Sequence, residues 1–349
     1  MKVPYQNPKI LIIGPSWVGD MVMTQSMCSA LSQRYNAPQI DILAPEWSAP
    51  VISRMPGVNQ LIAYPLKHKQ IALRQRYLIG KTLRENHYHQ AIIVPGSWKS
   101  AIIPWVAAIP VRTGFLGEQR YGILNDHHQL DKNRLPTMLQ RYLYLATTTV
   151  TENIGINHFP ILLAKQPDEV LQRFNLSLKK GKRVLALCPG AEFGGSKQWP
   201  LEYYAEIAMH QLNQGWQVWL FGSAKDQCVT ARINQLCQDA CIDLAGKTEL
   251  GDAIDLLSMV DLVVTNDSGL MHVACALGRK VITIYGSSSA HHTPPLSANA
   301  TVLSLNLSCQ PCFKRDCPLG HFACMKQLKP EQVLSQIRVK FDEKSLITE

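Results

Sequence analysis

Four stretches of this chain gather residue types that can do polar chemistry. The first, Gly14-Pro15-Ser16-Trp17-Val18-Gly19-Asp20, follows an apolar run and opens a helical pattern. It sets one carboxylate, Asp20, at a helix N-terminus, where the macrodipole keeps it ionised and able to accept a proton. Capping of the helix is the alternative use of the same residue. The second, Pro189-Gly190-Ala191-Glu192-Phe193-Gly194-Gly195-Ser196-Lys197-Gln198-Trp199-Pro200, has the glycine spacing of a P-loop but not its order. Ser196-Lys197 replaces Lys-Ser/Thr and Pro200 delays the helix, so an NTPase site is set aside. A Gly-rich loop that delivers Lys197 to a phosphate is the functional reading, and a solvated surface loop the structural one.

The third stretch, Val263 to His272, is a strand running into a helix through Asn266-Asp267-Ser268-Gly269-Leu270. Main-chain N–H groups of Ser268, Gly269 and Leu270 at a helix N-terminus suit an anion such as a diphosphate. Phosphate would repel Asp267, which is better matched to sugar hydroxyls or to capping the helix. The fourth stretch holds Cys309, Cys312, Cys317 and Cys324 with His321, four cysteines and a histidine in 16 residues. It opens with C-x-x-C, as closed zinc sites do, but the later spacings are not those of a standard finger. Reduced, half-buried thiols are the preferred reading. A structural zinc stays open, and no metal is assigned to the chemistry.

The elements that must hold these stretches are short apolar runs alternating with helical patterns, the form of a parallel sheet covered by helices. Strands are expected at Ile10–Ile13, Ile40–Leu43, Leu61–Tyr64, Ala91–Val94 and Val111–Gly114, with helices over Met21–Arg34 and Gln70–Glu85. After a polar segment, Thr151–Lys182, the pattern restarts with strands at Arg183–Cys188, Gln217–Phe221, Cys241–Leu244, Leu262–Thr265 and Val281–Tyr285, and a last helix over Pro330–Phe341. The expected architecture is α/β, two doubly wound Rossmann-like domains over residues 1–165 and 166–349 with a cleft between the carboxyl ends of their sheets.

The chain has 349 residues, 46% hydrophobic and 17% charged, with a net charge of +9. Such a composition forms globular domains and favours anionic partners. No apolar run reaches the roughly 20 residues of a spanning helix; Ala101–Val111 is short and interrupted by Pro104 and Pro110. The N-terminal stretch lacks the form of an export signal, so the ten cysteines are expected as thiols in the cytoplasm. G-x-G-x-x-G is absent from the first loop, which argues against hydride transfer. No helix-turn-helix, RRM or aromatic stacking signature supports a nucleic-acid partner.

The strings GPSWVGDMVMTQS, SRMPGVN, RTGFLGEQRYGILND, CPGAEFG, LFGSAKD, LAGKTEL, VTNDSGLMHVA and YGSSSAHHTPPLS, in order from about residue 9 to residue 305, resemble those of the ADP-heptose-dependent lipopolysaccharide heptosyltransferase II family. The resemblance implies the GT-B architecture, with acceptor on the first domain and nucleotide sugar on the second. It implies inverting transfer of a heptose from ADP-heptose to the first heptose of the lipid A-linked inner core. Asp20 would be the base and Lys197 the residue at the diphosphate, and no further cofactor is required. By position, Gly190, Glu192, Ser223, Asp226, Thr248, Asn266, Asp267, Ser268, Gly269, Leu270 and His272 are expected at the donor. Ser16, Trp17, Gly19, Arg112, Arg120 and Lys132 are expected at the acceptor, the cations on its phosphates. The lipid-linked acceptor and the basic charge imply peripheral contact with the cytoplasmic face of the inner membrane. The cysteine-rich segment departs from the family pattern and bears on the choice of acceptor, for which a related transferase of different acceptor is the alternative.

Overall fold

The computed structural model describes residues 6–65 and 70–342. The first five residues, part of the stretch read as lacking an export signal, lie outside the described residues. The chain divides into two compact units, Met1–Leu163 and Ala164–Glu349.

The first unit is a six-stranded sheet of β1 (Lys9–Ile13), β2 (Gln39–Pro45), β3 (Gln60–Tyr64), β4 (Gln90–Ile93), β5 (Val111–Phe115) and β6 (Asp126–His128), in the order β3-β2-β1-β4-β5-β6. All pairs are parallel, with Ile10 opposite Ile40 on one side and Gln90 on the other. The longer helices are α1 (Val18–Arg34), α3 (Leu73–Leu83), α4 (Trp98–Val106) and α5 (Met138–Thr147), with the single turn α2 (Ala49–Ile52) between β2 and β3. Both faces of the sheet are covered, which is why its inner strands read as unbroken apolar runs. Ile10, Leu11, Ile12, Ile40, Ile42, Ile92 and Ile93 are fully buried. α1 is buried along most of its length, from Met21 to Cys28 and at Leu31. α5 starts on a capping box in which Thr137 Oγ1 accepts from Gln140 N and Gln140 Oε1 accepts from Thr137 N.

The second unit repeats the plan with β7 (Val184–Cys188), β8 (Gln217–Leu220), β9 (Ile242–Asp243), β10 (Leu262–Asn266), β11 (Lys280–Ile284) and β12 (Ala300–Leu303), in the order β12-β11-β10-β7-β8-β9. Read from the other edge, this is the same winding as the first sheet. Its helices are α6 (Pro167–Arg173), α7 (Leu201–Asn213), α8 (Gln227–Leu236), α9 (Leu250–Leu257), α10 (Gly269–Ala276), α11 (Ala323–Lys326) and α12 (Pro330–Asp342). The core joins Leu185, Leu187, Val218, Leu220, Val264 and Ile282 of the sheet to Tyr204 and Ile207 of α7 and to Val333 and Ile337 of α12.

Each expected strand is present, with ends shifted by a residue or two. The sequence reading missed β6 and β12, the outermost strands next to β5 and β11. Neither is fully buried along its length, so neither leaves the continuous apolar run by which the inner strands are recognised. In both sheets the winding reverses between the first and fourth strands, β1/β4 and β7/β10. Open α/β sheets bind ligands beside this reversal, outside the carboxyl ends of the strands, and the loops after β1, β7 and β10 are three of the four stretches singled out above.

Candidate active site

In the first unit the loop Gly14–Trp17 carries the chain from β1 into α1. Gly14 is required by close approach: a Cβ there would stand 2.9 Å from Met21 Cε and 3.2 Å from Ala44 Cβ. Trp17 is the N-cap of α1 and is 44% exposed, Ser16 is half-buried and Gly19 is buried. Asp20 lies in the first turn of α1, half-buried, where the helix N-terminus favours its charged form. Its carboxylate accepts a hydrogen bond from the hydroxyl of Tyr142 on α5. Burial, and then the Asp20 charge, push the Tyr142 phenol well above its ordinary pKa, so it stays a proton donor to Asp20. Tyr142 is 3% exposed on the face of α5 packed against α1. Sequence reasoning missed it, because a tyrosine on a buried helical face carries no local sign of the carboxylate it will meet.

Arg112 and Arg120 were expected at acceptor phosphates, and the structure turns both inward. Arg112 donates from Nε to the Ile123 carbonyl and from Nη1 to the Ile109 carbonyl, both at 2.6 Å. Arg120, 1% exposed, donates from Nη1 to the Pro95 carbonyl at 2.9 Å and from Nη2 to the Phe115 carbonyl. Burial lowers the pKa of each guanidinium. These side chains fasten the loops that follow β4 and β5 instead of presenting a cation to solvent. Lys132 is exposed in a turn.

In the second unit the loops after β7 and β10 meet. Lys197 Nζ lies 2.5 Å from Asp267 Oδ2, with side chains 17% and 6% exposed. The ammonium also stands 5.0 Å from the centre of the Phe193 ring. Ser268 caps α10, its Oγ accepting from Met271 N at 3.4 Å, and leaves Gly269 and Leu270 half-buried at the helix start. One turn into α10, His272 is 5% exposed and its Nδ1 has no hydrogen-bond partner among the described residues. Lysine, carboxylate, imidazole and helix N-terminus together form a buried polar group at the winding reversal, where the N–H groups of the helix start suit an anion.

Burial pushes the His272 pKa down to about 4, with Lys197 acting in the same direction and Asp267 against it. The imidazole is therefore neutral when folded, whereas the unfolded chain takes up its proton near the ordinary 6.5. The unfolded state binds more protons through this window, so stability falls as pH drops from 6.5 towards 4, by up to about 3 kcal/mol from this group. Urea unfolding of His272→Gln should show a shallower loss over that range than the unaltered chain. An identical slope would refute the assignment.

Asn266, expected at the donor, is fully buried and its amide is used internally. Its Oδ1 accepts from Trp199 N at 3.2 Å and from Tyr204 OH at 3.0 Å, and its Nδ2 donates to the Pro189 carbonyl at 2.8 Å. It ties the two loops together and so positions Lys197. Asp226 Oδ2 accepts from Ser223 N and Ser223 Oγ, both at 2.8 Å. The carboxyl group packs where a Cβ on Gly190 would fall, 2.6 Å away, which explains the glycine there. Glu192 pairs with Lys225 at the surface, and Thr248 Oγ1 donates to the Leu244 carbonyl at 3.2 Å.

Two Rossmann-like sheets of the same winding, one with a carboxylate–phenol pair on its first helix and the other with a lysine–carboxylate pair at a helix N-terminus, define a GT-B glycosyltransferase. The chain belongs to glycosyltransferase family 9 (heptosyltransferase), whose model matches residues 76–323. It is 42% identical to Lipopolysaccharide heptosyltransferase 2 of Salmonella typhimurium, across 97% of this chain and 100% of the relative. It is 44% identical to Lipooligosaccharide heptosyltransferase 2 of Haemophilus ducreyi, across 85% of this chain and 88% of the relative. The solved structure of E. coli ADP-heptose lps heptosyltransferase II superposes with a TM-score of 0.85 at 39% identity, covering 97% of this chain and 99% of that one.

Proposed function

We propose that this chain transfers a heptose from ADP-heptose, with inversion, to the first heptose of the lipid A-linked inner core of lipopolysaccharide. Support comes from the end-to-end likeness to the heptosyltransferases 2 and from the order of the motifs along the chain. The observation that carries the donor side is the Lys197–Asp267 pair at the N-terminus of α10. There Lys197 and the N–H groups of Ser268, Gly269 and Leu270 meet the diphosphate, and Asp267 takes hydroxyl hydrogen bonds from the sugar beside it. His272, with its free Nδ1, is a further donor contact. On the acceptor side Asp20, steadied by Tyr142, removes the proton of the attacking hydroxyl. The new bond forms at the anomeric carbon on the face opposite ADP while the bond to the diphosphate oxygen breaks. Negative charge moves onto ADP, where Lys197 and the helix dipole stabilise it.

ADP release by the purified chain with ADP-heptose and a heptose-bearing lipid A acceptor tests this reading. Acceptor-dependent release is expected. Donor binding without release would point to a heptosyltransferase of different acceptor, and absence of donor binding would defeat the reading.

No helix among the described residues is long and apolar enough to cross a membrane. The reading places the chain at the cytoplasmic face of the inner membrane, held peripherally. α3 suits such contact, since Leu73, Tyr77 and Leu78 are 53%, 54% and 51% exposed beside exposed Arg74 and Lys81. Apolar anchors flanked by cations bind anionic lipid surfaces. Sedimentation with phosphatidylglycerol vesicles should therefore be salt-sensitive and fall roughly tenfold in Leu73→Asp/Tyr77→Asp, and unchanged sedimentation would remove α3 from the contact.

A further inference from the structure

The cysteine-rich segment takes no part in the transfer described above, yet it brings four cysteines together in one part of the second unit. Cys309, Cys312 and Cys317 are half-buried and Cys324 is buried, all four as thiols. All four line one cavity of about 180 Å³, with His321 and Ser196 at its wall. The turn Cys317-Pro318-Leu319-Gly320 is closed by Gly320 N, which donates to the Cys317 carbonyl at 3.0 Å. Gly320 permits the turn with φ +68°. Cys324 lies in the short α11. The four thiols thus share the wall of one cavity.

The same segment forms the wall on which the Lys197 loop rests. Ser196 N donates to the Arg315 carbonyl at 3.0 Å, and Ser196 Oγ bonds Ser287 Oγ at 2.9 Å and the Lys314 carbonyl. Phe313 N donates to the Ser287 carbonyl at 2.7 Å. A Cβ on Gly194, at φ +150°, would stand 2.5 Å from the Arg315 carbonyl oxygen. The Phe193 ring has Lys197 Nζ 5.0 Å and the Arg315 guanidinium 5.5 Å from its centre.

We propose that Cys309, Cys312, Cys317 and Cys324 bind one zinc ion as a closed structural site, which stiffens residues 313–315 and through them the loop that carries Lys197. Four thiolates are the tetrahedral ligand set zinc prefers. Each thiol releases its proton to solvent as its sulfur bonds the ion, leaving a site of charge −2 in a segment that also carries Lys314, Arg315 and Lys326. Zn–S bonds of about 2.3 Å put tetrahedral sulfurs about 3.8 Å apart. Among the described residues no three such side chains are already gathered as a ligand group. The set closes by thiol rotation, since a change of χ1 well carries a sulfur roughly 3 Å.

The full chain, purified without chelators, should carry one zinc by elemental mass spectrometry and keep it through desalting. The Co²⁺-loaded chain should show the sulfur-to-cobalt charge-transfer band of a tetrathiolate, and Cys312→Ser/Cys317→Ser should lose both metals. Because that variant can misfold, the unaltered chain is also titrated with Co²⁺ against a competing chelator. Failure to take up zinc or cobalt, disulfides in place of thiols, or metal retained by the double variant would overturn the site. The link to Lys197, which rests on the proposed function, predicts roughly tenfold weaker ADP-heptose binding once zinc is removed. Unchanged affinity would overturn the link. If the zinc-loaded chain binds no ADP-heptose, the transferase reading fails while the metal stoichiometry still decides the site.

Discussion

Asp20→Asn should bind ADP-heptose as tightly as the unaltered chain and turn it over about 10² to 10⁴ times more slowly, the usual contribution of a positioned base. The substitution keeps the size of the side chain and a carbonyl to accept from Tyr142, so α1 and α5 remain packed and the second unit is untouched. What is lost is a group able to take the acceptor proton. Tyr142→Phe supplies the graded control. Its ring still fills the space between α1 and α5, but the carboxylate loses a hydrogen bond that favours its charged form. The acid limb of the kcat/KM profile should then move to higher pH, with a smaller loss of rate than in Asp20→Asn. Single-turnover ADP release and calorimetric donor titration measure the two quantities separately. Full turnover in Asp20→Asn, or loss of donor binding, would remove Asp20 from the role of base.

Lys197→Met should damage both the fold and the chemistry, and the two effects can be parted. Asp267 is 6% exposed and would lose the ammonium 2.5 Å away. Removing one partner of a buried pair leaves an uncompensated charge and costs about 3 kcal/mol or somewhat more. For a unit of this size that corresponds to a fall of about 10 °C in Tm. If Lys197 meets the departing diphosphate as proposed, its loss should lower kcat/KM by a further factor of about 10² to 10³. In Lys197→Met/Asp267→Asn no buried charge is left alone, so the Tm should recover most of its loss while turnover stays low. Recovery of activity together with the Tm would mean that Lys197 serves only to neutralise Asp267.

The local elements were legible because their signals are local. A strand buried on both faces must be a short apolar run, so β1, β4, β7 and β10 could be read directly, whereas β6 and β12 at the sheet edges could not. The loops after β1, β7 and β10 were also legible, since glycines, a capping serine and a helix start mark where a backbone can meet an anion. The pairing of Lys197 with Asp267 was not, because it depends on β7 and β10 being neighbours across the reversal of winding. The same holds for Asn266, which looks like a ligand contact in its motif and instead ties the two loops together. Arg112 and Arg120 were read as free cations from their type alone, but main-chain carbonyls of loops that only the folded sheet brings near use their donors.

The order of residues thus determined the two α/β units and the loops that are candidates for the chemistry. Tertiary structure decided which side chains remain available for it, placing Tyr142 on Asp20 and the cysteine segment under the Lys197 loop. The physical reason is range: propensity, periodicity and capping act within a few residues, whereas the partner of a buried polar group is chosen by whichever strands and helices become neighbours.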